Sequence, residues 1–298
     1  MKIAITTPSG NIGSKLADIL LNNKEAQVTV LARTPGKVEH LAARGARVVA
    51  GDQLDPAAID KAIDGADVLF WAVGMDYTPA NVRARYNQFA DAVSDALRRH
   101  PQLRIVHLSS VGAQLRAGTG PIKGLHDAEQ KLIAAGNDVI HLRANYFMEN
   151  VLSSLPTIAS DGSIYAAMPG SATSEQVATA DIAEAAAHYL LRGPRGHHAV
   201  DIFGPENISF DQVAATTGEA IGKPVRHVQV PPDALKSALT SAGISTDLAG
   251  ELVELQQAMA DGRLREQVGD LRWKGKVTFA QFAQEVMKPA YRQATAAA

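Results

Sequence analysis

The first residues whose spacing could do chemistry are Thr-Pro-Ser-Gly-Asn-Ile-Gly, at positions 7–13. An apolar run that ends at Thr6 precedes them, and a helical pattern begins at Gly13. A strand, a glycine-containing turn and a helix form the context in which backbone N–H groups bind phosphate. Two glycines alone do not separate a phosphate-binding loop from an ordinary strand-to-helix turn.

Thr7 stands where such a loop usually has its first glycine. Threonine fits this position only if its φ is negative, and Pro8 would then hold the turn rigid. We expect Gly10 to let the backbone approach a phosphate, and Gly13 to let the helix pack closely on the strand. Ser9 adds a hydroxyl within reach of a phosphate oxygen.

The tip of the second predicted strand carries Arg33, twenty residues beyond Gly13. An acidic residue at this position binds the ribose 2′-hydroxyl of NAD, whereas an arginine accommodates the 2′-phosphate of NADP. No Asp or Glu lies between Val28 and Lys37, and Lys37 adds a second cation. The pattern favours NADP(H); the alternative is that Arg33 is a solvated charge.

A short polar stretch, Asp52-Gln53-Leu54, follows the third predicted strand. Asp52 and Gln53 are predicted to meet the edge of the adenine. The alternative for Asp52 is a turn or cap residue.

Apolar runs and helical patterns alternate through the first half and predict the scaffold for these residues. The runs predict six strands, at 2–6, 27–31, 46–50, 68–72, 104–108 and 138–142. Helices are predicted at 13–22, 56–63, 82–99 and 126–135. Because strands that alternate with helices form parallel sheets, residues 1–150 are predicted to be a Rossmann-type, doubly wound α/β domain.

The alternation ends near residue 150. Residues 151–298 are predicted to form a smaller C-terminal α+β lobe that binds substrate and partly interleaves with the first domain. Asp181 is predicted to open one helix, 197–205 to contain a strand, and Ser209 and Gly222 to bound another helix. His197 and His198 are adjacent, so on a strand they point to opposite faces and cannot chelate one metal together.

Composition excludes several classes of function. The 298 residues include no cysteine, which excludes disulfides and thiolate sites. A net charge of -2 gives no general field for nucleic acid or a membrane surface. No signal peptide or membrane-spanning run is recognised, so we expect a cytoplasmic protein with no metal site. The oligomeric state stays open, a homodimer included.

An ordered set of modest motifs resembles one known group of proteins. The motifs are TPSGNIG, LART, GDQLD, LSSVGA, AEQKLIAAG, IHLRANYFMENVL, VATADIAEAAA and FGPENISFDQVA. Up to about Lys288, their order resembles that of the NmrA-like, atypical short-chain dehydrogenase/reductases. The resemblance implies a Rossmann domain that binds NADP(H) and a C-terminal lobe that closes over the nicotinamide.

Motif and resemblance together predict the residues that line the site. The cofactor-binding set is Thr7, Ser9, Gly10, Asn11, Ile12, Gly13, Arg33, Lys37, Asp52, Gln53, Leu54, Ala72, Val73, Gly74, Ser109, Lys123, Asn145, Tyr146 and Phe147. The substrate-binding set is Val111, Tyr146, Phe147, Met148 and Asn150. The alternative for Tyr146, Phe147 and Met148 is ordinary core after the sixth strand.

The Tyr-x-x-x-Lys pair of related reductases is missing. In those enzymes the tyrosine donates a proton, and the lysine lowers its pKa and holds the ribose. The two positions fall here on Pro121 and Leu125, neither of which donates. Lys123 and His126 are the candidate catalytic groups, because an imidazole is an acid near neutral pH and an ammonium polarises oxygen. The alternatives are a loop charge and a helix-start residue.

Other polar residues of this region have simpler interpretations. Ser109 and Ser110 follow the fifth strand, where related sites place a polarising hydroxyl; the alternative is that they satisfy backbone groups. Asp127 and Glu129 are predicted to be helix-start charges that complement the helix dipole.

The residues leave two main functions open. The first is an NADPH-dependent oxidoreductase that reduces a small quinone, enone or carbonyl compound. A conjugated acceptor tolerates the missing pair, because water can protonate the stabilised enolate or phenolate. The second is a non-catalytic NADP(H)-binding redox sensor that acts through a partner protein. A redox-neutral use of the fold, such as epimerisation, is the remaining alternative.

Overall fold

A computed structural model describes residues 1–74, 76–264 and 268–296. The strands are β1 (Lys2–Ile5), β2 (Gln27–Ala32), β3 (Arg47–Ala50), β4 (Val68–Trp71), β5 (Arg104–Ser110), β6 (Val139–Ala144), β7 (Ser163–Ala166), β8 (Thr173–Ser174), β9 (His197–Phe203), β10 (Ile208–Ser209), β11 (Arg226–Gln229) and β12 (Leu271–Lys274). The α-helices are α1 (Asn11–Leu21), α2 (Glu39–Ala42), α3 (Pro56–Ile63), α4 (Val82–Arg99), α5 (Ile122–Ala134), α6 (Leu155–Asp161), α7 (Thr179–Arg192), α8 (Phe210–Ile221), α9 (Pro232–Ser241), α10 (Thr246–Ala260), α11 (Phe279–Phe282) and α12 (Lys288–Ala296).

Within the described residues, a parallel sheet of eight strands forms the centre of the fold, in the order β3-β2-β1-β4-β5-β6-β9-β12. The six predicted strands are confirmed, and the second half of the chain adds β9 and β12. The order 3-2-1-4-5-6 is that of a Rossmann fold, whose ligand crevice opens at the carboxyl ends of β1 and β4. The predicted fold class is therefore confirmed.

Apolar cores cover both faces of the sheet. Helices α1 and α7 pack on one face, and α3, α4 and α5 pack on the other. Every residue of β6 is buried, as expected for a strand with helices on both sides. Trp71 is 1% exposed and fills the second of these cores.

The second half of the chain contributes to the sheet and also builds a separate core. Two small sheets, β10-β8 and β11-β7, accompany α6, α8 and α11 there. The predicted ends of α8 are confirmed: Ser209 caps its first turn, and Gly222 ends it with a φ of 74°. Helix α7 begins at Thr179, and the Asp181 carboxylate accepts the N–H groups of Lys276 and Val277. The boundary near residue 150 stays a prediction.

Candidate functional site

The loop between β1 and α1 packs closely where glycine was expected. A Cβ at Gly13 would lie 1.9 Å from the carbonyl oxygen of Thr7, so no side chain fits there. A Cβ at Gly10 would lie 3.5 Å from the same oxygen, which is an ordinary contact. No non-glycine residue in the described part of the chain has a positive φ, so Thr7 meets the condition set by its sequence position.

The amino terminus of α1 faces this loop without a capping side chain and without an acidic residue in its first turn. The Gly10 carbonyl accepts the first helical bond, from Ser14 N–H, at 3.0 Å. The N–H groups ahead of it lack partners inside the helix, and the helix dipole makes this end favourable for an anion. This arrangement is suited to a phosphate group.

The tips of β2 and β3 carry the charges predicted for the adenosine side. Arg33 Nε lies 3.8 Å from Asp52 Oδ2, and the Arg33 side chain is 79% exposed. Asp52 Oδ1 accepts the N–H of Leu54 at 2.9 Å, so this carboxylate also shapes the turn. Gln53 Nε2 lies 3.4 Å from the Thr6 carbonyl oxygen, while its buried Oε1 has no hydrogen-bond partner.

The predicted residues differ in exposure. Exposed are Ser9, Gly10, Asn11, Arg33, Lys37, Gly74 and Asn150. Half-buried are Thr7, Asp52, Gln53, Leu54, Val73, Lys123, His126, Asn145, Tyr146 and Phe147. Buried are Ile12, Gly13, Ala72, Ser109, Val111 and Met148. The tips of neighbouring parallel strands meet at one edge of the sheet, so the residues that directly follow these strands lie along that edge.

Tyr146 follows β6 at this edge and forms an aromatic pair with the C-terminal lobe. Its ring lies 5.5 Å from that of Phe210, nearly perpendicular to it. Burial raises the pKa of the Tyr146 hydroxyl to about 12, so it stays protonated. Asn145 Oδ1 accepts from Tyr146 N–H and from Ser174 Oγ, which holds the segment in place.

Met148 requires a correction. It is fully buried in the core of the C-terminal lobe, beside Val151 and Phe279. Its side chain therefore has no surface for a substrate, and the alternative of ordinary core applies to it. Phe147 is half-buried and packs against the α1 and α7 side of the sheet.

Ser109 and Glu129 require a second correction. The Ser109 hydroxyl donates to Glu129 Oε1 at 2.6 Å, and both residues are buried. Arg143 on β6 donates to both carboxylate oxygens, at 3.0 and 2.6 Å. Although burial raises the pKa of Glu129, hydrogen bonds from Arg143 lower it overall. The Ser109 hydroxyl is thus engaged by Glu129, and Glu129 is a buried ion-pair partner rather than a helix-start charge.

Asp127 also has a specific partner, on the surface of α5. Arg83 donates to its two oxygens at 2.7 and 2.8 Å, and Asn87 Nδ2 donates at 2.8 Å. Helix α5 has no acidic residue in its first turn, because it begins at Ile122, four residues before the predicted start. Asp127 therefore does not serve the helix dipole.

Lys123 lies in the first turn of α5 and binds two carboxylates of α10. Its Nζ is 2.7 Å from Glu254 Oε2 and 3.0 Å from Glu251 Oε1. Gly120, just before α5, passes so close to α10 that a Cβ would lie 2.1 Å from the Glu251 carbonyl oxygen. Helix α10 thus packs directly over the entry to α5.

His126 is held in one tautomer by the loop after β5. Its Nδ1 lies 2.8 Å from the Ala113 carbonyl oxygen. A carbonyl oxygen only accepts, so Nδ1 must carry the hydrogen, and Nε2 is left as the atom that can gain or lose a proton. This is the geometry expected of a general acid or base.

Sequence reasoning missed the contribution of the lobe. Leu255 and Met259 of α10 share a cluster with Tyr146 and Phe210, and Glu251 and Glu254 flank Lys123. The spacing of Leu248, Leu252, Leu255 and Met259 predicts a helix with one buried face. Nothing in that pattern identifies which residues it buries against.

The described ranges, 1–74, 76–264 and 268–296, contain neither a candidate membrane span nor a candidate metal site. No helix there has the length and apolar character needed to cross a membrane. No group of three or more His, Asp or Glu side chains in the same ranges is arranged to hold a metal ion. His198 Nδ1 binds Asp270 at 2.5 Å, and His197 Nε2 faces the Asn137 carbonyl.

Relatives of known activity match almost the whole chain. An NAD(P)H azoreductase of Xenophilus azovorans is 27% identical over 285 residues, covering 94% of this chain and 96% of its own. A (4-alkanoyl-5-oxo-2,5-dihydrofuran-3-yl)methyl phosphate reductase of Streptomyces griseus is 30% identical over 240 residues, covering 80% of each. Both relatives are reductases.

Solved structures match the fold closely. The NADPH-dependent quinone oxidoreductase of Escherichia coli, crystallised with NADPH, superposes with a TM-score of 0.78 at 22% identity, covering 96% of this chain and 99% of that one. The sequence model of the NmrA-like family matches residues 1–285. The resemblance inferred from the ordered motifs is thereby confirmed, and the chain belongs to the NmrA-like family.

Proposed function

We propose that this protein is an NADPH-dependent reductase of a small conjugated acceptor, such as a quinone, an enone or a carbonyl compound. Membership of a family with NAD(P)H-dependent reductases supports the class of reaction. The observation that carries the proposal is the β1–α1 loop, with its uncapped helix terminus next to Gly10. When bound, NADPH would supply the hydride.

The space around the two glycines of the loop supports dinucleotide binding, as the contacts of an added Cβ at each position indicate. Gly13 is required by the protein's own packing, because a Cβ would overlap Thr7. Gly10 is not required in this way, and its φ of -83° suits any residue. A close approach by a phosphate group explains why position 10 nevertheless has no side chain.

Arg33 and Lys37 are proposed to bind the 2′-phosphate. Both side chains are exposed, at the end of β2 and in the following 3-10 turn. The ion pair of Arg33 with Asp52 is long and solvated, so it contributes little and leaves the guanidinium available. Gln53, whose buried Oε1 lacks a partner, is proposed to accept from the adenine amine.

His126 is proposed to deliver the proton, or the hydrogen bond, that the reduced acceptor needs. Its Nδ1–H is committed to Ala113, so proton transfer occurs at Nε2. Tyr146 stays protonated and supplies a hydroxyl at the same edge of the sheet. Because quinones and enones give stabilised anions, one weak acid and water are sufficient for them.

One observation favours a second candidate, an NADP(H)-binding sensor without turnover. Lys123 is occupied by Glu251 and Glu254, so it offers no free ammonium to a ribose or a substrate oxygen. Pro121 and Leu125 occupy the positions of the usual tyrosine and lysine and cannot donate a proton. With Lys123 engaged as well, His126 is the remaining candidate acid on this helix, and such a shortage of proton donors is expected of a protein that binds NADP(H) without turnover.

The test is NADPH oxidation by the purified protein with a panel of quinones, enones and ketones. Replacing His126 with Gln removes the acid and keeps a polar side chain of similar size. We expect turnover to fall about 100-fold for a simple ketone, within the usual range for general acid catalysis. The loss should be smaller for a quinone or an enone. His40→Gln, an exposed histidine of α2, is the control.

Tight binding of NADPH with no turnover of any acceptor would support the sensor instead. Turnover that is equally fast in His126→Gln for every acceptor would remove His126 from the mechanism while leaving the reductase in place.

A further inference from the structure

The charges of three side chains at the entry to α5 do not cancel. Lys123 lies between Glu251 and Glu254, and the three side chains are 16%, 16% and 31% exposed. Burial lowers the pKa of Lys123, but the hydrogen bonds of Glu254 and Glu251 outweigh it, so the amine stays charged. One cation therefore meets two carboxylates, and one negative charge remains.

The described cations near this trio neutralise it only in part: Arg83 is attracted by Glu251 as well as by its own partner, and Lys236 Nζ lies near Gly250, one residue before Glu251. Three arginines of the same region each have a carboxylate partner, in the pairs Arg83–Asp127, Arg85–Asp76 and Arg263–Asp261. Arg116 lies exposed on the loop before α5, where solvent screens its charge. In addition, Glu251 Oε2 is buried and has no hydrogen-bond partner. This carboxylate is thus incompletely neutralised.

Helix α10 carries both this charge and apolar side chains that pack with Tyr146, a residue of the predicted substrate-binding set. Leu255 and Met259 pack with Phe210 and Tyr146, and Leu255 is the residue after Glu254. Residues four apart on a helix lie on the same side, so Glu251 and Leu255 are neighbours along one stripe. An acceptor that contacts Tyr146 and Leu255 would therefore lie beside the stripe of α10 that carries Glu251.

We propose that Glu251 and Glu254 make the site select uncharged or cationic conjugated acceptors and reject anionic ones. The inference rests on the proposed reductase function and adds a class of substrate to it. Rejection works by repulsion, because a sulfonate, carboxylate or phosphate on the acceptor would meet an uncompensated negative charge in partly dehydrated surroundings. Lys123 holds the carboxylates in place and offsets one of them.

The experiment compares one naphthoquinone with the same quinone bearing a single ring sulfonate. The quantity measured is the ratio of kcat/KM for the neutral acceptor to that for the anionic acceptor, with saturating NADPH. Proteins compared are the wild type, Glu254→Gln and the double variant Glu251→Gln/Glu254→Gln. Glu25→Gln removes the same charge just before β2, at the opposite edge of the sheet. A ratio within one protein is unaffected by partial misfolding.

We expect each substitution to lower the ratio about fivefold, the effect of one unit charge at roughly 8 Å in a medium between protein and water. Glu25→Gln should leave the ratio unchanged, and added salt should lower it in the wild type. A ratio that is the same in all four proteins would overturn the inference.

Failure of the proposed function gives a different result. If the wild type reduces neither quinone, the reductase assignment fails, and the Kd of each quinone for the NADPH-loaded protein becomes the readout. A Kd ratio that follows the two glutamates then supports charge selection at a binding site. A Kd ratio independent of them overturns it.

Discussion

Gly13 and Thr7 are in such close contact that the helix and the loop share no room for a side chain. The distance of 1.9 Å from a Cβ at 13 to the Thr7 oxygen is far below van der Waals contact. Gly10, three residues earlier, has no such constraint. Packing therefore requires Gly13 but not Gly10, and we propose that Gly10 is needed for the approach of a ligand.

Replacing each glycine with alanine should affect a different property, stability at position 13 and NADPH affinity at position 10. Gly13→Ala should lower the free energy of unfolding by about 2–3 kcal/mol, because the overlap with Thr7 forces the helix away from the strand. Gly10→Ala should lower the unfolding free energy by about 1 kcal/mol or less, the cost of alanine at a helix N-cap, but weaken NADPH binding about tenfold or more. Urea unfolding and a fluorescence titration with NADPH measure the two quantities. Equal effects of both variants on stability would contradict the assignment.

Arg33→Ala should weaken NADPH far more than NADH. The expected difference is about 1.5–3 kcal/mol, the contribution of a hydrogen bond to a charged group. Titration of both nucleotides measures it. Arg47→Ala is the control, because Arg47 begins β3 at the other end of the strand and its side chain donates to the Lys61 carbonyl. Similar losses for NADPH and NADH would remove Arg33 from the 2′-phosphate site.

The strands that position the site can be predicted from the sequence because they are buried on both faces and are therefore apolar. Near-continuous apolar runs predict β1 to β6, and their alternation with helices predicts a parallel, doubly wound sheet. Strand β12 was not predicted. It lies at the edge of the sheet and exposes Arg272 and Lys274, so its sequence contains no apolar run. Its pairing with β9 joins residues about 70 positions apart.

The partners of buried charges were harder to predict. Glu129 falls on the same face of α5 as the buried Leu132, and Arg143 interrupts an apolar strand. Those two anomalies were visible in the sequence, and pairing them would have predicted the ion pair. No pattern in the sequence predicts the contact of Lys123 with Glu251 and Glu254. These residues are more than 120 positions apart, and the tertiary packing of the C-terminal lobe brings them together.

Glu129→Gln should be much more damaging than Asp127→Asn on the same helix. Removing one charge from the buried pair leaves Arg143 unpaired and should cost about 3–5 kcal/mol of unfolding free energy. The Arg83–Asp127 pair is partly exposed, and its loss should cost about 1 kcal/mol or less. Glu129→Leu combined with Arg143→Met should recover part of the loss, because neither member of this pair is then left alone, although buried Asp201 loses the attraction of Arg143. Urea unfolding at neutral pH measures all three.

A buried pair of histidines should make stability fall as the solution becomes acidic. His107 and His141 lie on β5 and β6 with their Nδ1 atoms 3.0 Å apart. Burial lowers the pKa of His141 to about 4, and burial together with His141 lowers the pKa of His107 well below its usual value. Both rings are therefore neutral in the folded state at neutral pH.

The direction of this pH dependence follows from which state of the chain, folded or unfolded, binds more protons. Between about pH 6.5 and pH 4 the unfolded chain binds protons that the folded His141 does not, so the unfolding free energy falls as the pH falls, by about 1.4 kcal/mol per unit for one such histidine. Above that window the group contributes no slope. His141→Phe should therefore be less stable at pH 7.5 but lose stability less steeply down to pH 5. Urea unfolding of both proteins at several pH values measures this difference, and parallel curves would show that His141 does not resist protonation in the fold.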